Sequence, residues 1–152
     1  GVYKLTAVEN EQGEIIPKIK CSENVEKITI PHFKKVYRLY NKENGKAIAD
    51  YMTVYDEVVD ENEPMMLFDP YATWKTKNVC NYQARELLVP VFLKGKKVYE
   101  SPALKDIQTY CAQQVDTLWD EIKRFDNPQT YYVDLSQKLW DIQQELLRKN
   151  RN

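Results

Sequence analysis

The side chains in this sequence that could do chemistry are few, and His32 is the only histidine. A Ser/His/Asp or Cys/His centre would need it beside a nucleophile. Pro31 and Lys34-Lys35 flank it instead, which makes it a turn residue. The loop KCSEN (20–24), with Lys27 behind it, gathers a hydroxyl, a carboxylate and two ammonium groups. Such a loop could reach a phosphate or a carboxylated ligand, but Ser and Asn also fold readily onto their own backbone. Asp56, Glu57, Asp60, Glu61 and Glu63 form an acidic run that invites calcium. The ligand spacing and central glycine of an EF-hand are missing, so a solvated loop is expected. Cys21, Cys80 and Cys111 are far apart and no CxxC occurs, which argues against a zinc site and predicts three reduced, semi-buried thiols. Neither GxGxxG nor GxxxxGK[ST] occurs. Apart from Gly1, the glycines Gly13, Gly45 and Gly95 fall in predicted hairpin turns, so no autonomous nucleotide site is expected.

Composition bounds the rest. The 152 residues suit one domain, and 43% hydrophobic with 30% charged residues is a globular balance. A net charge of −1 lacks the basic excess of a nucleic-acid binder. No apolar run approaches the roughly 20 residues that span a bilayer, and no signal-peptide pattern is present. These features predict a cytoplasmic protein that binds neither nucleic acid nor membrane. The 11 tyrosines are therefore read as packing and interface residues. The chain starts at Gly1 and runs at once into an apolar strand, which predicts that it was cut from a longer chain or is the distal piece of one.

The elements that must position these groups divide the chain into a strand-rich part, 1–100, and a helical part, 101–149, read together as one domain, 1–152. Val2–Val8 and the residues after Gly13 form a predicted hairpin. Lys27–Ile30 is a predicted short strand. Val36–Tyr40 and Lys46–Tyr55 flank Asn44-Gly45, which accepts the positive φ angles of a tight turn. Met65–Phe68 and Trp74–Cys80 are further strands. The run RELLVPVFLK (85–94), followed by Gly95 and Val98-Tyr99, reads as a buried strand, a turn and a short return. From Ser101, a predicted N-cap, Leu104, Ile107, Cys111, Val115, Leu118 and Ile122 recur at helical spacing. Asn127-Pro128 ends that helix, and Asp134 caps a second with the stripe Leu135, Leu139, Ile142 and Leu146. The short connection between them predicts an antiparallel helix pair in which Leu118 and Leu139 meet. The expected fold is α+β: strand hairpins in a small, mostly antiparallel sheet, then the helix pair. More apolar surface is predicted than one small sheet can cover.

Eight segments occur in order: GVYKL (1–5), IKCSEN (19–24), EKITIP (26–31), VYRLY (36–40), GKAIAD (45–50), ARELLVPVF (84–92), EIKRFDNP (121–128) and VDLS (133–136). Together they resemble the C-terminal part of bacterial-type nicotinate phosphoribosyltransferase, from Gly1 to about Leu147. The resemblance implies a parent enzyme of NAD biosynthesis. That enzyme makes nicotinate mononucleotide and pyrophosphate from nicotinate and phosphoribosyl pyrophosphate, coupled to ATP hydrolysis. Its site would lie in an α/β barrel, with magnesium and a transiently phosphorylated histidine, all upstream of the region matched here. His32 stands where that family commonly has glycine, and Phe33 where it commonly has lysine. No catalytic residue, metal ligand or cofactor site is therefore assigned to this chain. Tyr3 and Lys4, nearest to the barrel by sequence, are carried as supporting substrate-binding residues. The implied partner is the rest of the parent enzyme, with a homodimer as a further expectation. The alternative is a free-standing protein-interaction module without activity.

Overall fold

The structure is a computed structural model that describes residues 3–150. Its centre is a hairpin of β3 (Lys34–Asn41) and β4 (Ala47–Val54). Asn41 shapes the turn, its side-chain oxygen accepting the N–H groups of Glu43 and Asn44. Gly45 takes φ +67°, which a side chain would resist. Tyr37 and Leu39 of β3 are buried while Val36, Arg38 and Tyr40 face the other way, the alternation a strand imposes. Strand β7 (Tyr82–Glu86) pairs antiparallel on the outer side of β3. On the outer side of β4 lies β10 (Val133–Leu135), running parallel to it with Val133 opposite Asp50. The main sheet therefore has the order β10-β4-β3-β7 and is mixed.

A hairpin of β5 (Met65–Asp69) and β6 (Ala72–Val79) covers one face of this sheet. Leu67 and Val79 join Tyr37, Leu39, Ala49 and Tyr82 in the larger core. A smaller core joins Val54, Leu135 and Leu139, the last from helix α3 (Gln137–Lys149). The N-terminal hairpin pairs β1 (Ala7–Glu9) with β2 (Ile15–Pro17), as the sequence predicts; Gly1 and Val2 lie outside the described residues. The class is α+β, as expected.

Several elements differ from expectation. Lys27–Ile30 is not a strand: a 3₁₀ turn spans Val25–Lys27, and the Thr29 hydroxyl and carbonyl are engaged by Lys20 and Gln143. The N–H groups of Ile28 and Thr29 bond to Val25 and Lys20 and the Thr29 carbonyl to Gln143, so these groups do not pair in a strand ladder. The run after Arg85 is not buried. The Leu87 N–H still bonds to Val36, then Pro90, which has no N–H to give, interrupts the ladder. Beyond it β8 (Phe92–Leu93) and β9 (Lys96–Lys97) form an outstanding hairpin, with Phe92 64% exposed. Its turn takes positive φ at Lys94 and Gly95, the geometry that suits the twist of a two-residue hairpin.

The helical part also departs. Helix α1 covers only Leu104–Asp116, with Ala103 at its N-cap instead of Ser101 and no side-chain cap. Thr117 breaks it, its hydroxyl bonding to the Gln114 carbonyl, and a short α2 follows at Asp120–Lys123. Its apolar stripe is exposed; Leu104 is 72% accessible. Asp134 does not cap α3, because it sits inside β10; Ser136 does, accepting the Leu139 N–H. The intervening parallel strand carries the chain along β4. α1 therefore ends beside Lys46 and Ala47, and α3 begins beside Met52 and Asp56. The two helices do not form the antiparallel pair, and Leu118 has no place in the Leu139 cluster.

Truncating Leu139, which is fully buried, to alanine should cost about 2–5 kcal/mol. Leu104→Ala in the same chain should change stability by less than about 0.5 kcal/mol. Urea midpoints of the two variants check both values.

Candidate functional site

Most of the residues that could do chemistry turn out to hold the fold together. His32 is a turn residue at φ +79°, its Nδ1 accepting the Phe33 N–H at 2.9 Å. Its ring stacks near Tyr55, with centroids 6.1 Å apart. A backbone that turns this way suits glycine better than a residue with a side chain. The turn is clasped by Lys34, whose ammonium donates to the carbonyls of Ile30, Pro31 and His32 at 2.8–3.2 Å. Burial pushes that ammonium below the ordinary lysine range.

The acidic loop is likewise occupied. Glu57 accepts the Val54 N–H at 2.6 Å and the Ser136 hydroxyl at 2.7 Å, tying the end of β4 to the start of α3. Asp56 pairs with Lys138 at 2.9 Å. Glu61 accepts the Ala84 N–H of β7, and Tyr82 donates to the carbonyls of Asp60 and Glu63. Among the described residues no group of three or more His, Cys, Asp or Glu is placed to hold a metal. In the 20–24 loop Ser22 accepts the Asn24 N–H, a local turn. Tyr3 is 97% exposed, and the Lys4 ammonium reaches the Lys27 carbonyl at 3.3 Å. The Lys4 contact is with the backbone of Lys27, behind the 20–24 loop. Cys21, Cys80 and Cys111 are free and exposed, not semi-buried.

Three constellations emerge that the sequence reading did not assemble. On the outer face of the main sheet Arg38 grips Asp50 with two bonds of 2.7 and 2.9 Å, and Tyr131 donates to the same carboxylate. The paired carboxylate holds the guanidinium above its ordinary range, and burial raises the Tyr131 phenol. Counting back from the Asn44-Gly45 turn would set Arg38 opposite Tyr51; a register shift between Leu39 and Tyr40 brings Asp50 there instead, so the sequence did not show this pair. Beside it, Arg85 lies over the Tyr40 ring and donates to Tyr110 and Gln114, while Lys46 donates to the carbonyls of Asp116 and Leu118. These bonds dock α1, which buries no side chain of its own. The third is Asp134, 4% exposed on the core face of β10, whose carboxyl burial and nearby Asp69 push up to about 6.

The remaining feature is apolar. Val89, Val91, Phe92 and Leu93 on the outstanding hairpin are exposed, as are Leu104, Ile107 and Tyr110 on α1.

Residues 33–143 match the family model described as "Nicotinate phosphoribosyltransferase C-terminal domain". The chain belongs to that family. It is 42% identical over 139 residues to the nicotinate phosphoribosyltransferase of Bacillus subtilis, covering 91% of this chain and 28% of that protein. The Dictyostelium discoideum enzyme is 30% identical over 148 residues, covering 92% and 24%. A crystal structure of human nicotinic acid phosphoribosyltransferase superposes with a TM-score of 0.70 at 23% identity, over 78% of this chain and 24% of that one, and so shares its fold. The chain spans about a quarter of the length of these relatives. Among the described residues no helix is long and apolar enough to cross a membrane.

Because Asp134 holds its proton up to about pH 6 in the fold but only to about 3.9 unfolded, the folded state binds more protons between those values. Stability should therefore fall as pH rises from 4 to 7 through this group. Asp134→Asn should stabilise the protein more at pH 8 than at pH 4.5, read as the difference in denaturant midpoint at the two pH values.

Proposed function

We propose that this chain is the C-terminal part of a nicotinate phosphoribosyltransferase and acts there as a supporting domain. The observation that carries the reading is the family match across β3 to α3, on a chain about a quarter as long as its relatives. The parent enzyme would join nicotinate to phosphoribosyl pyrophosphate, releasing nicotinate mononucleotide and pyrophosphate, with ATP hydrolysed alongside. It would be a cytoplasmic enzyme of NAD biosynthesis.

The described residues do not fit magnesium or ATP. Three carboxylates of the acidic loop are engaged: Glu57 and Glu61 by backbone N–H groups, Asp56 by Lys138. The positive-φ glycines sit in hairpin turns and not at helix starts. Magnesium, ATP and the reacting groups belong to the rest of the enzyme in this reading, and Tyr3 and Lys4 stand at its edge as supporting residues. The whole of 1–152 serves as one domain. Its partner is the barrel, received by the apolar face of the β8–β9 hairpin and α1; a homodimer of the parent is a further expectation. Covering such a face removes apolar area from water at about 25 cal/mol per Å².

Two measurements test this. The isolated chain should release no pyrophosphate from phosphoribosyl pyrophosphate with nicotinate and ATP, whereas the full-length protein should. Turnover by the isolated chain, or none by the full-length protein with these substrates, would contradict the assignment. In the full-length protein Phe92→Asp should lower the melting temperature, because it buries a charge at the proposed contact. In the isolated chain the same change should alter stability by less than about 0.5 kcal/mol.

A further inference from the structure

Between the main sheet and the β5–β6 hairpin lies a cleft of about 280 Å³. Its floor is Ile48 and Ala49 of β4 and Leu67 of β5. Asp134 of β10 and Asp69 of β5 line it, as do Lys75, Lys77 and Tyr132. The residue that matters is Asp134. It is 4% exposed, faces the core side of the sheet opposite Tyr51, and its carboxylate makes no hydrogen bond or ion pair among the described residues. Burial disfavours its charged form, and its oxygens meet water only through the cleft it lines. Every other half-buried carboxylate described above has a donor, so this one is the exception.

We propose that this cleft is a binding site for a small organic cation, a primary ammonium on a short aliphatic body. The ammonium would meet the Asp134 carboxylate, with Asp69 as its neighbour. Asp69 uses its Oδ1 to accept the N–H groups of Tyr71 and Ala72, and its other oxygen is not engaged by a hydrogen bond. The aliphatic body would lie on Ile48, Ala49 and Leu67. Two carboxylates over an apolar floor suit an alkylammonium better than a divalent metal, which wants six or more oxygens and sheds water reluctantly. The size suits a ligand of a few heavy atoms, just under the usual range for drug-sized molecules.

The charged and titratable neighbours set the pH dependence. Asp69 and burial favour the neutral form of Asp134, Lys77 favours the charged form, and Tyr51 faces it from β4. Lys75 lines the same cleft. Neither lysine forms an ion pair with Asp134. The charged carboxylate needed for binding is present above about pH 6 and lost below it.

The test uses the full-length protein and n-butylamine, with 1-butanol as the neutral analogue, followed by saturation-transfer NMR. Butylammonium should bind at pH 7.5 and 1-butanol should not. Asp134→Asn should weaken binding at least tenfold. Lowering the pH to 5, where butylamine stays fully charged, should weaken it similarly in the unaltered protein. That second measurement needs no variant and stands if Asp134→Asn fails to fold. Absence of binding up to tens of millimolar, equal binding of butanol, or binding indifferent to both Asp134→Asn and pH would overturn the proposal. None of these outcomes bears on the parent enzyme's activity, because the inference rests on the cleft alone.

Discussion

Strand β4 is hydrogen-bonded on both sides, and the pairing on its outer side organises everything else. Val133–Leu135 arrives from near the end of the chain and lies parallel to Asp50–Met52. Parallel pairing requires a crossover, and here the crossover contains α1 and α2. The chain must run past the whole length of β4 before α3 can begin. Tyr131, just ahead of β10, then reaches the Asp50 carboxylate that Arg38 holds, and Ser136, just after it, caps α3 and bonds to Glu57. Leu135 fills the space between Val54 and Leu139. Removing β10 would leave the edge of β4, the Arg38–Asp50 pair and the small core all incomplete.

Local signals in the sequence identified the hairpins well and the long-range pairing poorly. Asn44-Gly45 and Gly13 mark their turns because those turns need positive φ, a requirement carried by one or two residues. The Val36–Tyr40 alternation survives because one face is covered. Asp134 reads as a cap because Asp before a helical stripe is a common N-terminal signal. Only the distant β4 edge turns it into a strand residue. The buried reading of residues 87–93 failed for a related reason. Apolar wording shows that a segment is to be buried, and says nothing of whether the covering atoms belong to the same chain segment. The same holds for the α1 stripe. The Lys34 clasp had no sequence signal, since it depends on three carbonyls turned inward by the His32 backbone.

The candidate site follows the same division. Residue types and spacing argue against a Ser/His/Asp centre, a phosphate loop and an EF-hand; what spacing does not show is that Glu57 and Glu61 accept backbone and hydroxyl donors. Nor could spacing find the cleft beside Asp134, which exists only because the β5–β6 hairpin folds over the sheet. What remains without a covering partner is the apolar hairpin beyond Pro90 and the stripe of α1. The chain spans about a quarter of the length of its relatives, and the proposed cover for that surface is the remainder of such an enzyme.

Amide hydrogen exchange across residues 88–99, compared between the isolated chain and the full-length protein, tests this account most directly. The hairpin has few cross-strand bonds of its own, so its amides should exchange quickly in the isolated chain. In the full-length protein they should be slowed by at least two orders of magnitude, while amides of β3 and β4 change little. Equal exchange of the hairpin in both would contradict the claim that this face is a contact with the rest of the enzyme.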